Sequence, residues 1–143
     1  MKVTIEQIKK FYEITEQLSF TGMEISEINK IINARDAIRS HYNAYKAFNE
    51  DLQKAHKPKE EDWNFLVEVE KNGLKNASPE DLKRHNEIAK PYVTAINDAL
   101  NPKLAEEVDI EIEKISKDSV AALLANQRFN ILMLNEYLSF IMP

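Results

Sequence analysis

A mainly α fold, built on a long antiparallel helical hairpin with short flanking helices and one minor β-strand, is predicted for this chain of 143 residues by three observations. Only two glycines are present, which disfavours a loop-rich or all-β fold. Residues 26–54 then carry an unbroken seam, Ile28, Ile31, Arg35, Ile38, Tyr42, Tyr45, Asn49 and Leu52, with alternating three- and four-residue spacing. One line of that seam (Ile31, Ile38, Tyr45, Leu52) is wholly apolar; the other (Ile28, Arg35, Tyr42, Asn49) alternates apolar and polar. Finally, Leu82, His85, Ala89, Tyr92, Ile96 and Ala99 repeat the same spacing, so residues 82–99 supply a second arm for the first to pack on.

The elements follow in order. Thr4 and Gln7 fit a capping box, and Ile5, Ile8, Phe11, Tyr12, Thr15 and Leu18 keep a helical period to about Ser19. Gly22 can take the positive φ of a sharp turn, and Ser26 is placed to cap the long helix. Lys57-Pro58 stops that helix, since proline cannot donate to the ladder and pushes the preceding residue out of the α region. Trp63, Leu66, Val67 and Leu74 mark a third helix that ends near Asn72-Gly73. Ser78-Pro79-Glu80-Asp81 combines an N-cap hydroxyl, a first-turn proline and acids at the positive end of the helix dipole. The helix begun there is expected to bend or divide at Pro91 and to end at Asn101-Pro102.

Over residues 107–115 the period changes to two: Val108, Ile110 and Ile112 alternate with Asp109, Glu111 and Glu113, which predicts a strand with one buried face. A lone strand leaves backbone groups unpaired, so its partner is either residues 21–25 or a second subunit. Ser116 restarts a helix through Val120, Leu123 and Leu124, and residues 128–142 close the chain with Phe129, Leu132, Leu134, Tyr137, Leu138, Phe140 and Ile141. That span is shorter than the ~20 apolar residues a membrane helix needs, so it reads as core or interface.

At this length a single domain, residues 1–143, buries roughly two-thirds of the surface of its unfolded chain. With 43% hydrophobic and 30% charged residues it is neither membrane-like nor disordered. The absence of cysteine excludes disulfides, thiolate metal sites and cysteine nucleophiles. The N-terminus has no apolar run resembling a secretory signal, so a cytoplasmic protein is expected. A net charge of −5 argues against broad phosphate binding. The local basic concentration Lys71, Lys75, Lys83 and Arg84 supports an alternative, a regulatory helical protein with weak nucleic-acid association through residues 71–84.

Candidate chemistry is sparse. His41 flanks the seam and His85 lies in the facing arm, where an antiparallel pair would bring them together. Neither belongs to a Glu-x-x-His or His-Glu-x-x-His pattern. Asp109, Glu111 and Glu113 could in principle hold a hard cation but read better as a solvated strand face. No catalytic residue, cofactor or metal is expected. Arg35 and Asn49 are the polar seam positions that can fix register and partner number.

The order of parts carries a resemblance. A short helix ends in LSFTGMEIS, the charged helix INKIINARDAIRSHYNAYKAFNEDL follows, a second arm reaches DALNPKLAEEVDIEIEKIS, and a short helix with an apolar end closes the chain. This pattern resembles the small helical proteins encoded in tailed-phage and prophage genomes, a family of unknown function often found among structural and tail genes. The resemblance implies a non-enzymatic accessory or assembly role through protein contact, in the host cytoplasm or on the virion, with a protein partner that includes a second copy of this chain. The residues expected to carry contact are Arg35, Tyr42, Tyr45 and Asn49 on the seam, Val108, Ile110 and Ile112 on the strand, and Phe140 and Ile141 at the C-terminus.

Overall fold

Thr4 opens the first helix as a full capping box: its hydroxyl accepts from the Gln7 N–H, and the Gln7 side chain accepts from the Thr4 N–H at 2.9 Å. In the computed structural model, which describes residues 1–127 and 131–142, this helix (α1) spans Ile5–Thr15. It is followed by α2 (Ile25–His56), α3 (Glu60–Asn72), a single 3₁₀ turn (Leu74–Asn76), α4 (Pro79–Leu104), α5 (Lys117–Ala125) and α6 (Ile131–Ile141). Strands β1 (Lys2–Thr4) and β2 (Glu107–Asp109) form one antiparallel pair. The fold is therefore mainly α with a small β element. The contacts divide the chain into two compact units, Met1–Tyr45 with Leu104–Pro143, and Lys46–Lys103.

In the first unit α1 runs antiparallel to the first part of α2. Lys9 lies over the Tyr45 ring (5.9 Å), Tyr12 stacks on Tyr42 (4.0 Å between centroids), and Arg35 covers the other end, 4.2 Å from the Tyr12 ring and 2.6 Å from Glu16. The apolar seam line is buried here at Ile31, Ile38 and Tyr45, while Ile28, Arg35 and Tyr42 on the alternating line are only partly covered. α6 closes the core from the other side: Phe11 is stacked between Tyr137 (4.5 Å, 6°) and Phe140 (4.9 Å, 24°). The Thr15 hydroxyl bridges the Phe11 carbonyl (2.7 Å) and the Tyr137 hydroxyl (3.0 Å), which satisfies a polar group that burial would otherwise penalise and that burial pushes up in pKa.

The strand prediction is corrected in extent and partner. β2 covers only three residues and pairs with β1, Val3 opposite Val108, rather than with residues 21–25, which form a turn around Gly22 at φ +82. β1 was hidden in the sequence because a three-residue strand shows no usable alternation and runs straight into a helix cap. The alternation continues a little beyond β2: Ile110 is buried and bonds to Met1 through both its N–H and its carbonyl, and Ile112 is half-buried; Ile115, out of phase with it, is buried with its N–H on the Ile141 carbonyl. Asp109, Glu111 and Glu113 face out.

Three boundaries also differ from expectation. α1 stops at Thr15, short of Ser19. α2 starts at Ile25, so Ser26 lies inside its first turn, which the Glu24 carbonyl closes by accepting from Glu27 and Ile28. α4 continues through Pro91 and Pro102 to Leu104 without dividing; both prolines are exposed, where the carbonyl each leaves unpaired is solvated. The expected start of the last helix at Arg128, with Phe129, lies outside the described residues, and only the backbone of Leu132 is described.

Glu27 links α2 to α5. Ser116 caps α5 by accepting from the Ser119 N–H, and its own N–H donates to Glu27 Oε2 at 2.7 Å, while Lys30 Nζ sits 2.8 Å from Oε1. The Lys30 ammonium, the Ser116 N–H and the Ser119 hydroxyl hold the Glu27 carboxyl down to about 2, against an ordinary 4.5. Because the folded value is the lower one, Glu27 adds stability that is complete above pH 4.5 and is lost as the pH falls from there toward 2. Glu27→Gln is expected to destabilise the fold at pH 7 and to flatten this acid limb, measured by urea unfolding at pH 7 and pH 3. Phe11→Ala is expected to cost about 3–5 kcal/mol in the same assay at pH 7.

Candidate interaction surface

The second unit is a helical arm. Pro58 breaks α2 from α3, Gly73 ends α3 at φ +88, a conformation that costs a side chain little only when there is none, and Ser78 caps α4 by accepting from the Asp81 N–H at 3.1 Å. The chain then runs back. His85 Nε2 meets Glu70 Oε1 at 3.2 Å, Tyr92 meets Trp63 edge-on at 5.9 Å, and Lys103 lies 5.6 Å over the Phe48 ring, so α4 is antiparallel first to α3 and then to the end of α2. This is the long antiparallel hairpin, with one correction to its register. The seam changes partner: to Tyr45 it packs on α1, and only its last turns, from Phe48 on, face α4.

Two antiparallel helices enclose only the line along which they touch. Among the apolar side chains of the arm only Leu66, Val69 and Ile96 are buried, together with His85. The large rings are covered instead by cations from neighbouring turns or helices: Lys57 at 4.8 Å over Trp63 and Arg84 at 4.1 Å over Phe65, with Arg84 also 3.8 Å from Asp62. Val67 (47% exposed), Leu74 (46%) and Val93 (49%) have no such cover.

Helical phase places these exposed residues on one side. Each residue turns about 100° from the one before it. Val67 follows Leu66 and Val93 follows Tyr92, and in antiparallel helices that shared offset carries both to the same face of the hairpin. Phe65 precedes Leu66 and Arg84 precedes His85, which carries them to the opposite face, and there they do meet. The first face thus carries Trp63, Val67, Leu82, Ala89 and Val93 as one apolar strip. At Leu82 it borders a shallow groove of about 640 Å³, lined also by Pro79, Asn86, Lys90 and Pro91.

The residues expected to make contact fall into three places. Arg35, Tyr42 and Tyr45 are brought together, but as the ladder that holds α1 to α2. Asn49 is half-buried and accepts from Gln53 at 3.4 Å. Val108 and Ile112 are half-buried, Ile110 is buried at the β pair, and Phe140 and Ile141 are 3% and 0% exposed. The C-terminal pair is therefore core, not binding surface, because α6 folds back onto Phe11. Of the histidines, His85 is committed to Glu70 rather than to His41. Arg84 of the basic region is spent on Asp62 and Phe65, and Glu113 of the acidic strand lies 3.7 Å from Lys30. Among the described residues no three metal-ligating side chains converge, and no helix is long and apolar enough to cross a membrane.

Periodicity places Val67 in the apolar stripe of the third helix and Val93 on the widened apolar face of the second arm, but not on an interaction surface, although a signal exists. Leu66 and Val67 are adjacent, and two consecutive apolar residues on a helix cannot both enter one groove. No known protein family, curated protein or solved structure matches the chain.

The thin core of the arm makes it sensitive. Ile96→Ala is expected to remove about 2–5 kcal/mol, and hydrogen exchange should show protection lost across α3 and α4 while α1 and the first half of α2 keep theirs.

Proposed function

We propose that this chain is a non-enzymatic interaction protein, an accessory or assembly component of phage or prophage origin, and that it engages protein through the apolar face of the α3/α4 arm. The observation that carries the reading is the contrast in burial. The first unit buries most of its aromatic and aliphatic side chains, from Ile8 and Phe11 to Tyr137 and Ile141, while leaving Ile25, Ile32 and Leu124 exposed; the arm encloses only three and leaves Val67 and Val93, which share one face, half in water. Contiguous exposed apolar surface of this kind marks interaction sites on soluble proteins. The polar clusters support the same reading: Glu27 with the Ser116 N–H, Arg35 with Glu16 and His85 with Glu70 each hold one element to another. The mixed charge of residues 71–84, where Glu80 and Asp81 interrupt the lysines, favours protein over nucleic acid as the partner.

The test is a photo-crosslinking side chain placed at Val67 or Val93, with Glu111 on the first unit as control. Adducts with protein are expected from the two arm positions and not from Glu111; an arm that yields none overturns the reading. The phage origin has its own check in the gene neighbourhood, where capsid or tail genes are expected and a metabolic operon would sink it.

A further inference from the structure

We infer that the apolar face of the arm is covered by the same face of a second copy of this chain, the two arms closing into an antiparallel four-helix bundle. The inference rests on the arm being the interaction surface and names what occupies it.

Two features of the arm select a second copy. The first is its geometry. A two-fold axis running along the arm lays α3 of one copy on α4 of the other, so every helix in the resulting bundle has antiparallel neighbours, and Val67 and Val93 enter a shared core. The second is charge. α3 carries Glu60, Glu61, Asp62, Glu68 and Glu70 against Lys71 alone, while Lys83 and Lys90 edge the α4 side of the strip. Within the chain Asp62 and Glu70 are taken up by Arg84 and His85, whereas Glu60, Glu68, Lys83 and Lys90 form no ion pair among the described residues. By the register of Trp63 on Tyr92 and Glu70 on His85, Glu68 is level with Glu87, between Lys83 and Lys90. The two-fold axis preserves that level and brings Glu68 of one copy opposite Glu87 of the partner subunit, flanked by Lys83 and Lys90 of the partner subunit, so that two cations face it against one carboxylate. Each copy both gives and receives this contact, as an isologous interface requires.

The size of the face sets the strength. α3 is 13 residues long, about 20 Å at 1.5 Å per residue, and two adjacent helices are about 20 Å across. Such an area is at the low end for specific interfaces, so the dimer is reversible, with dissociation in the micromolar range.

Sedimentation equilibrium on the full chain, from about 10 μM to about 1 mM, tests it. The mass is expected to rise from 16.6 kDa toward twice that value. Val67→Glu or Val93→Glu, each shown folded by circular dichroism, is expected to weaken association more than about tenfold, since each buries an unpaired charge. Asp98→Lys, on the opposite face, is expected to leave it unchanged. Lys83→Glu with Lys90→Glu should weaken the dimer, and adding Glu60→Lys and Glu68→Lys in the same chain should restore it. A wild-type chain that stays monomeric at about 1 mM, or a dimer indifferent to both valine substitutions, overturns the inference. Should the chain be monomeric while crosslinkers at Val67 and Val93 still capture a different protein, the second copy is excluded and the interaction role stands.

Discussion

Phe11 is the point on which the first unit turns. Its ring lies between Tyr137 and Phe140, so the first and last helices of the chain share one aromatic stack and neither can be placed without the other. Everything between must return the chain to its start. That is the work of the segment after α4, which pairs Val108 with Val3, ties Ile110 to Met1, and hands Ile115 to the Ile141 carbonyl. Contacts this distant in sequence are expensive in chain entropy and are repaid only when the core closes as a whole. Three residues of β-ladder suffice because they guide the closure rather than supply most of its energy.

The arm obeys the opposite logic. Its α3–α4 contacts join successive helices, its caps and breaks are local, and the Phe48, Trp63 and Phe65 rings are sheltered by cations rather than by a second layer of structure. Local contacts of this kind form quickly and cheaply. They leave a surface that a third and fourth helix can complete, which is why the same geometry that makes the arm easy to fold also makes it incomplete.

Legibility in the sequence followed that division. The seam was readable as two lines as far as Tyr45: Ile31, Ile38 and Tyr45 are buried, whereas Leu52, at the end of the same line, is half-buried like Ile28, Arg35, Tyr42 and Asn49. Thr4, Gln7, Ser78, Gly73 and Ser116 announced their caps because capping depends on side chains within three or four residues. What could not be read was the choice of partner. Nothing local says that Tyr42 stacks on Tyr12 rather than on a residue of α4, or that Phe140 folds inward onto Phe11, since periodicity reports a buried face and not what buries it. The apolar face of the arm was obscured for a related reason: a stripe that is too wide for one groove looks, residue by residue, like an ordinary core stripe.

The two prolines within α4 carry a further consequence. Pro91 and Pro102 are eleven residues apart, about three full turns, so they lie almost in line along the helix. Each removes the donor to the carbonyl four residues earlier, at Glu87 and Asp98. Pro91 is also two residues from Val93, which puts the line of prolines across the helix from the valine. One flank of α4 thus carries two backbone oxygens without a helical donor, and the other carries none. The helix is sided by its backbone as well as by its side chains, with a back whose two free carbonyls favour water and a front that can be dried.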